Sequence, residues 1–293
     1  MTLKKFHGDR FLGILYVIIS GTSFGVMPIF ANLAYETGAT PTTILFLRFT
    51  IASFLMLSWL FFKKTKYSFP KGKTFFILVL MGCLGYGGQS FCYFKALTFL
   101  PSGTVAILLY LYPALVTGLS LLFLNQKITR YELFALVLAL MGTVCVVGFT
   151  AGGDLAGYIL GTLAPFIYAT YIIVGTKVLK KTDAFIVSTV VITSAAVLYS
   201  GVIAFQGALF PTNLVGWTAA VTIAIVSTII AIFFFFAGIK KIGPVHASML
   251  STVEPVVTVI LAWLFLGEQL GVYKIAGGIM VLMAGVLLAK KQP

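Results

Sequence analysis

Apolar runs of about twenty residues alternate with short polar joints along the whole chain. The runs are continuous and lack period-two alternation. They therefore predict helices that cross a hydrocarbon core of about 30 Å, not strands of a barrel. The pattern places ten spans, at 11–33, 41–62, 74–95, 102–124, 131–149, 156–179, 185–206, 215–238, 244–266 and 271–289. The first run is too long for the apolar segment of a cleavable signal peptide, so it is expected to remain as a span. The second half then repeats the first. At an offset of 142 residues, ALVTGLSLLFLNQKITRYE lies over VVTVILAWLFLGEQLGVYK without a gap. Pro113 falls on Pro255, Tyr131 on Tyr273, and Leu140-Met141 on Leu282-Met283. Because five is odd, two copies of five spans must face opposite ways, which is a mark of carriers that work by alternating access.

Composition and charge sharpen this picture. Hydrophobic residues make up 60% of the chain and charged residues 9%. A water-soluble domain carries about a quarter charged residues, so most of this surface must face lipid. Lysine and arginine collect in alternate joints: Lys4, Lys5 and Arg10, then Lys63, Lys64, Lys66, Lys71 and Lys73, then Lys127 and Arg130, Lys177, Lys180 and Lys181, Lys240 and Lys241, and Lys290 and Lys291. The opposite joints have only Lys95 and Lys274 near their edges. The positive-inside rule then puts both termini in the cytoplasm of a plasma (inner) membrane protein. The net charge of +13 is this asymmetry, and no nucleic-acid partner is needed to explain it. The odd cysteines, Cys83, Cys92 and Cys145, lie inside spans and are expected to pack as small apolar groups. No metal-ligand spacing, Walker sequence or long loop is present, so no metal, cofactor, ATP drive or soluble catalytic domain is expected. The partners are the bilayer and a small-molecule substrate, and nothing in the pattern demands more than a monomer.

Several segments resemble one family. YFKALTFLPSGTVAILLYLYP, with its continuation to LNQK, is similar to the third-to-fourth span signature of the drug/metabolite transporter superfamily. FAGIKKIGPVHASMLSTVEPVVTVILAWLFLGEQL resembles the same stretch of a second EamA domain. FLRF around Arg48 resembles the second-span arginine motif, while GILYVIISGTSFG and GYILGTLAPFIYATY resemble the opening span of each copy. The resemblance covers essentially the whole chain. It implies an all-α membrane protein with ten transmembrane helices in two inverted five-helix EamA repeats, 11–149 and 156–289, around a central pocket. It also implies a secondary carrier of small metabolites, often an exporter of amino acids or related compounds. One departure concerns the end of the fourth span, where the family often has an acidic residue. Here the two copies carry Gln126 and Glu268, read as packing residues.

Transport chemistry needs polar groups near mid-membrane. Glu254 is the one carboxylate well inside a span, about ten residues or roughly 15 Å from its start. An acidic group at that depth costs at least about 2.5–3.5 kcal/mol, so it must face protein or water. It is a candidate for proton coupling or for pairing with a substrate amine. The alternative is structural. Pro255 lacks an N–H, so the carbonyl of Ser251 loses its helical donor, and a protonated Glu254 would replace it. Tyr112-Pro113 is the equivalent position in the first repeat, and helix breaks at Pro113 and Pro255 at matched depth are the expected place for a pocket, a simple kink without a ligand being the alternative. Gln89, Tyr168 and Ser227 complete the candidate substrate or proton-coupling set with Glu254 and Tyr112, beside Thr228, Tyr86 and Tyr110. Arg48 is expected to snorkel outward or pair with Glu36; contact with an anionic substrate is the alternative. His246 is expected to bond locally at a helix start, with a proton relay as its other use. Gly21-xxx-Gly25 and Gly157-xxx-Gly161 predict close helix contacts, and Gly82, Gly85, Gly87 and Gly88 thin the third span.

The reading is a non-enzymatic secondary transporter that exports an amino-acid-like or other polar metabolite, with possible proton coupling. One alternative is an organic-anion or nucleotide-derivative exchanger, which would make Arg48 and Lys95 pocket residues. The other is an intramembrane enzyme or non-transporting scaffold. An enzyme should show convergent catalytic groups at one depth, and none is visible.

Overall fold

The computed structural model describes residues 2–62, 69–148, 152–267 and 269–290. Lys63, Lys64, Lys66, Glu268 and Lys291 lie outside the described residues, as do the side chains of Lys4, Lys5 and Lys290. Among the described residues the chain is helical, and its helices are α1 (Thr2–Gly25), α2 (Met27–Glu36), α3 (Pro41–Phe62), α4 (Lys73–Leu80), α5 (Gly88–Ala96), α6 (Ser102–Leu109), α7 (Tyr112–Leu124), α8 (Arg130–Val147), α9 (Leu155–Leu179), α10 (Ala184–Gln206), α11 (Leu214–Ala224), α12 (Ala231–Leu250), α13 (Val253–Leu266) and α14 (Val272–Lys290). Two π-helical turns, Met81–Gly87 and Ile225–Ile230, join α4 to α5 and α11 to α12.

These segments combine into ten crossings. The longest apolar stretch, Leu214–Leu250, is two spans and not one. Gly243 divides it, with φ of 78° and ψ of 167°, a conformation that glycine adopts without a Cβ penalty. The eighth span therefore runs on to Ile242, four residues past the 238 expected, before Pro244 starts the ninth. Polar side chains cap helices at the joints. Thr129 and Glu132 form a capping box at α8, Asp183 accepts from Phe185 N at 2.8 Å, and Asn213 accepts from Gly216 N at 3.1 Å. Large apolar side chains stand out on the flanks, among them Phe61, Leu122, Phe205 and Val272, so the outer surface is built for lipid.

The helices are broken where the sequence is breakable, and the breaks come in pairs. The fourth span is interrupted at Tyr110-Leu111 and the ninth at Ser251-Thr252, just before Pro113 and Pro255. The 142-residue offset relates these positions to within a residue. The same offset brings the two π-helical turns into overlap, which the glycine run in the third span alone does not reveal. A further break at Val26, ahead of Pro28, divides the first span.

The principal helix pairings join one repeat to the other: α8 with α14, α1 with α12, α3 with α10 and α5 with α9. Small residues allow the approach. A methyl on Gly277 would stand 2.5 Å from the carbonyl oxygen of Gly142, and one on Gly142 would stand 2.7 Å from that of Gly277. The two glycine pairs expected to make close contacts do so. Gly21 and Gly25 press on Val253 and the backbone of Glu254, and Gly157 and Gly161 press on Leu100 and Leu108.

The alternation of joints gives a direct test. Lys181 and Asn213 are both exposed and end consecutive joints. Single cysteines replacing them are expected to react with a membrane-impermeant thiol reagent from opposite sides of sealed vesicles. Labelling of both from one side would contradict the ten-crossing topology.

Candidate functional site

The breaks surround a tyrosine-lined centre holding one buried cation and one carboxyl. Arg48 projects from α3 about seven residues, or roughly 10 Å, from the helix start. It does not snorkel, and it is not held by Glu36. It is 3% exposed, and every bond it makes turns inward. Its Nε donates to Thr228 Oγ1 at 3.0 Å and its Nη1 to Met27 Sδ at 3.1 Å. Its Nη2 donates to the Tyr86 hydroxyl at 3.1 Å and to the Ser227 carbonyl at 3.3 Å. The guanidinium also lies over the Phe49 ring, 4.8 Å from its centroid. The reason is composition: a polar pocket with hydroxyl, carbonyl and π acceptors is nearer to α3 than the membrane surface is, and it solvates the charge without hydrocarbon contact.

Glu254 opens α13 immediately before Pro255. The carbonyl freed by Pro255 is that of Ser251, and it accepts the backbone N–H of Glu254 itself at 3.0 Å. The carboxyl is therefore not needed to repair the break. It faces the Tyr110 hydroxyl and lies within electrostatic range of Arg48, with no ion pair between the two among the described residues. The Glu254 backbone is fixed from the first span: Thr258 Oγ1 donates to Gly25 O at 2.9 Å and to Glu254 O at 3.1 Å. Part of the Glu254 side chain stays open, although it sits deep in the bundle.

Aromatic rings line the space from Arg48 to Glu254. Tyr86 packs against Tyr171, which stacks on Tyr168 at 5.8 Å between centroids, and Tyr168 meets Tyr112 edge-on at 4.8 Å. Tyr112 donates to Ser248 O at 3.3 Å, tying α7 to the ninth span. Tyr35 and Tyr93, half-buried near the ends of α2 and α5, continue the lining away from the termini. On that side α2 packs on α3, α11 and α13, α5 packs on α6 and α9, and α8 and α10 bridge the two sets. On the side of the termini the bundle is closed. There α7 packs on α12, Arg10 Nη2 donates to Leu288 O at 2.8 Å, Lys241 pairs with Asp9, and His246 Nε2 lies 3.4 Å from Glu132 Oε1. His246 thus reaches a carboxylate on another helix instead of bonding only locally.

The family profile described as EamA-like transporter matches the sequence twice, over residues 11–148 and 155–290. The chain belongs to the EamA-like transporter family. It is 27% identical over 299 residues to the uncharacterized transporter YcbK of Bacillus subtilis, covering 94% of this chain and 92% of that protein. It is 23% identical to a Salmonella typhimurium protein named "Probable amino-acid metabolite efflux pump", covering 96% and 94% of the two chains. A solved crystal structure superposes with a TM-score of 0.78 at 19% identity, covering 94% of this chain and 95% of that one, which shows the shared fold.

In this EamA-like transporter the residues singled out from sequence have different surroundings. Glu254, Tyr112 and Tyr168 meet at the lined centre, and Pro113 and Pro255 flank it. Ser227 is fully buried and its hydroxyl donates to Ser23 O at 2.7 Å, so its carbonyl, not its side chain, serves Arg48. Lys95 is exposed, 5.4 Å from the Phe99 ring centroid, away from the centre. Sequence reasoning passed over Met27 and the Val26 break; Pro28 was the available signal. Gln89 is 8% exposed and lies on α5 beyond the first π-helical turn. Among the described residues no protein group hydrogen-bonds its amide. Gln89→Leu is therefore expected to leave thermal stability in detergent unchanged or higher. If the amide serves cargo, the half-saturation concentration for transport rises about 3- to 10-fold, the value of one hydrogen bond. A transport loss with a matching stability loss would assign Gln89 to packing.

Proposed function

We propose that this protein is a secondary exporter of small zwitterionic, amino-acid-like metabolites, working by alternating access across the plasma membrane with both termini in the cytoplasm. The observation that carries the reading is the pair of opposite charges, Arg48 and Glu254, in one tyrosine-lined centre without an ion pair between them. Arg48 offers a planar fork to a carboxylate. Glu254 offers an acceptor to an ammonium, and the rings between them suit the apolar part of the cargo. The relative named for amino-acid metabolite efflux supports the same class. The lysine-rich joints support the orientation.

Such a site makes coupling simple. Glu254 holds either a proton or the ammonium of the cargo, not both. Cargo loaded from the cytoplasm displaces the proton there. After the bundle opens on the other side, a proton displaces the cargo and the carrier returns. One proton enters for each zwitterion released, so an inward proton gradient drives export. We take the form described as the release stage of this cycle, because its side at the termini is closed.

The experiment is counterflow and pH-driven flux in proteoliposomes with the proteinogenic amino acids, their des-amino acids and their des-carboxy amines. Wild type is expected to prefer the complete zwitterion. Glu254→Gln is expected to weaken amino-acid binding about tenfold or more, as when a charged hydrogen bond is lost. The variant should keep whatever binding the des-amino acid shows and lose acceleration by a pH gradient. Wild-type rates and pH dependence in Glu254→Gln would refute both roles of the carboxyl. Equal transport of amino acid and des-amino acid by wild type would favour the organic-anion exchanger, to which the deep burial of Arg48 also lends support.

A further inference from the structure

Arg48 touches three discontinuities at once. Tyr86 belongs to the π-helical turn of the third span, Ser227 and Thr228 to that of the eighth, and Met27 follows the break in the first. These partners are all neutral. A guanidinium bonded to neutral acceptors remains open to a carboxylate, because charge-assisted bonds are roughly twice as strong as neutral ones. The acceptors also sit where helices can change register. A π-helical turn carries one loosened hydrogen-bond step, and such turns occur frequently at functional sites.

We propose that Tyr86 and Thr228 are release residues: in the form described, taken as the release stage, their hydroxyls occupy the guanidinium of Arg48 and compete with the anionic end of the cargo for it. The Thr228 hydroxyl is oriented for this role. It donates to Ile223 O at 3.0 Å, which turns a lone pair toward Arg48 Nε. The Tyr86 ring is held edge-on to Phe49, at 5.5 Å between centroids, and against Tyr171. Its hydroxyl is thus delivered to Nη2 by packing and not by chance rotation. In an exporter this competition works in the useful direction. It weakens the site on the side where cargo must leave, without weakening it on the side where cargo is taken up. The inference rests on the reading of Arg48 as the carboxylate end of the site.

Thr228→Val and Tyr86→Phe remove each acceptor at nearly constant shape. Loss of either competitor is expected to tighten binding from the release side about 3- to 10-fold, again the value of one neutral hydrogen bond. The probes are radiolabelled proteinogenic amino acids and their des-amino analogues, added to the face opposite the termini. Des-carboxy amines are expected to show no change. Outward flux at saturating internal amino acid should fall, since release is slowed. Structural damage would weaken binding for every probe, so selective tightening for carboxylates separates the two, and thermal melting checks the fold. Unchanged or weaker carboxylate binding in both folded variants overturns the proposal while leaving the zwitterion reading intact. If wild type binds no carboxylate-bearing probe, the zwitterion reading falls first and this inference falls with it.

Discussion

Hydrocarbon cannot hydrogen-bond a loosened backbone, and the rest of this structure follows from that constraint. Among the described residues five spans are interrupted, by tight turns at Val26, Tyr110-Leu111 and Ser251-Thr252 and by the two π-helical turns. Each interruption must find donors or acceptors inside the protein. They are found by turning the breaks toward one another, so that Ser227 O accepts a hydrogen bond from Arg48, Ser23 O one from Ser227, and Gly25 O one from Thr258. A polar centre is the necessary result of breaking several helices at one depth. The polar centre and the breaks are therefore a single feature.

Arg48 shows how such a centre changes the behaviour of an ionisable group. An arginine near the end of a span ordinarily extends its charge to the interface. Here the nearest polar surroundings are internal, and the aromatic face of Phe49 adds to them. Glu254 follows a similar logic from the other repeat. Its backbone repairs the proline break and its side chain is left over for other work. The two groups sit within electrostatic range without contact, so a ligand with two poles fits between them better than a single ion.

Much of the architecture was legible before any coordinates. The ten apolar runs, the 142-residue repeat and the two matched prolines define the bundle and two of its breaks, because hydrophobicity and proline geometry act locally. The direction of a long side chain is not local. Whether Arg48 reaches the interface or the centre depends on Thr228, 180 residues away, and no spacing rule carries that information. The π-helical turns were hidden for a similar reason. Gly82, Gly85, Gly87 and Gly88 hint at the first, but Ile225–Ile230 has no such composition, and only tertiary packing distinguishes it from an α-helix. His246 was legible as a polar group at a helix start, yet its partner Glu132 was visible only as a cap for α8.

The cross-pairing of α1, α3, α5 and α8 with helices of the other repeat has a consequence for biosynthesis. Neither half owns a complete core. During translation the first five spans enter the bilayer while α10, α12 and α14 do not yet exist. Arg48 then waits in or near hydrocarbon without Thr228 or Ser227, and Gly142 waits without Gly277. The nascent half is a polar-centred intermediate, completed only when the tenth span, α14, brings Gly277 to Gly142. The repeat that gives the carrier its symmetry thus also makes the last span necessary to complete contacts that the fifth begins.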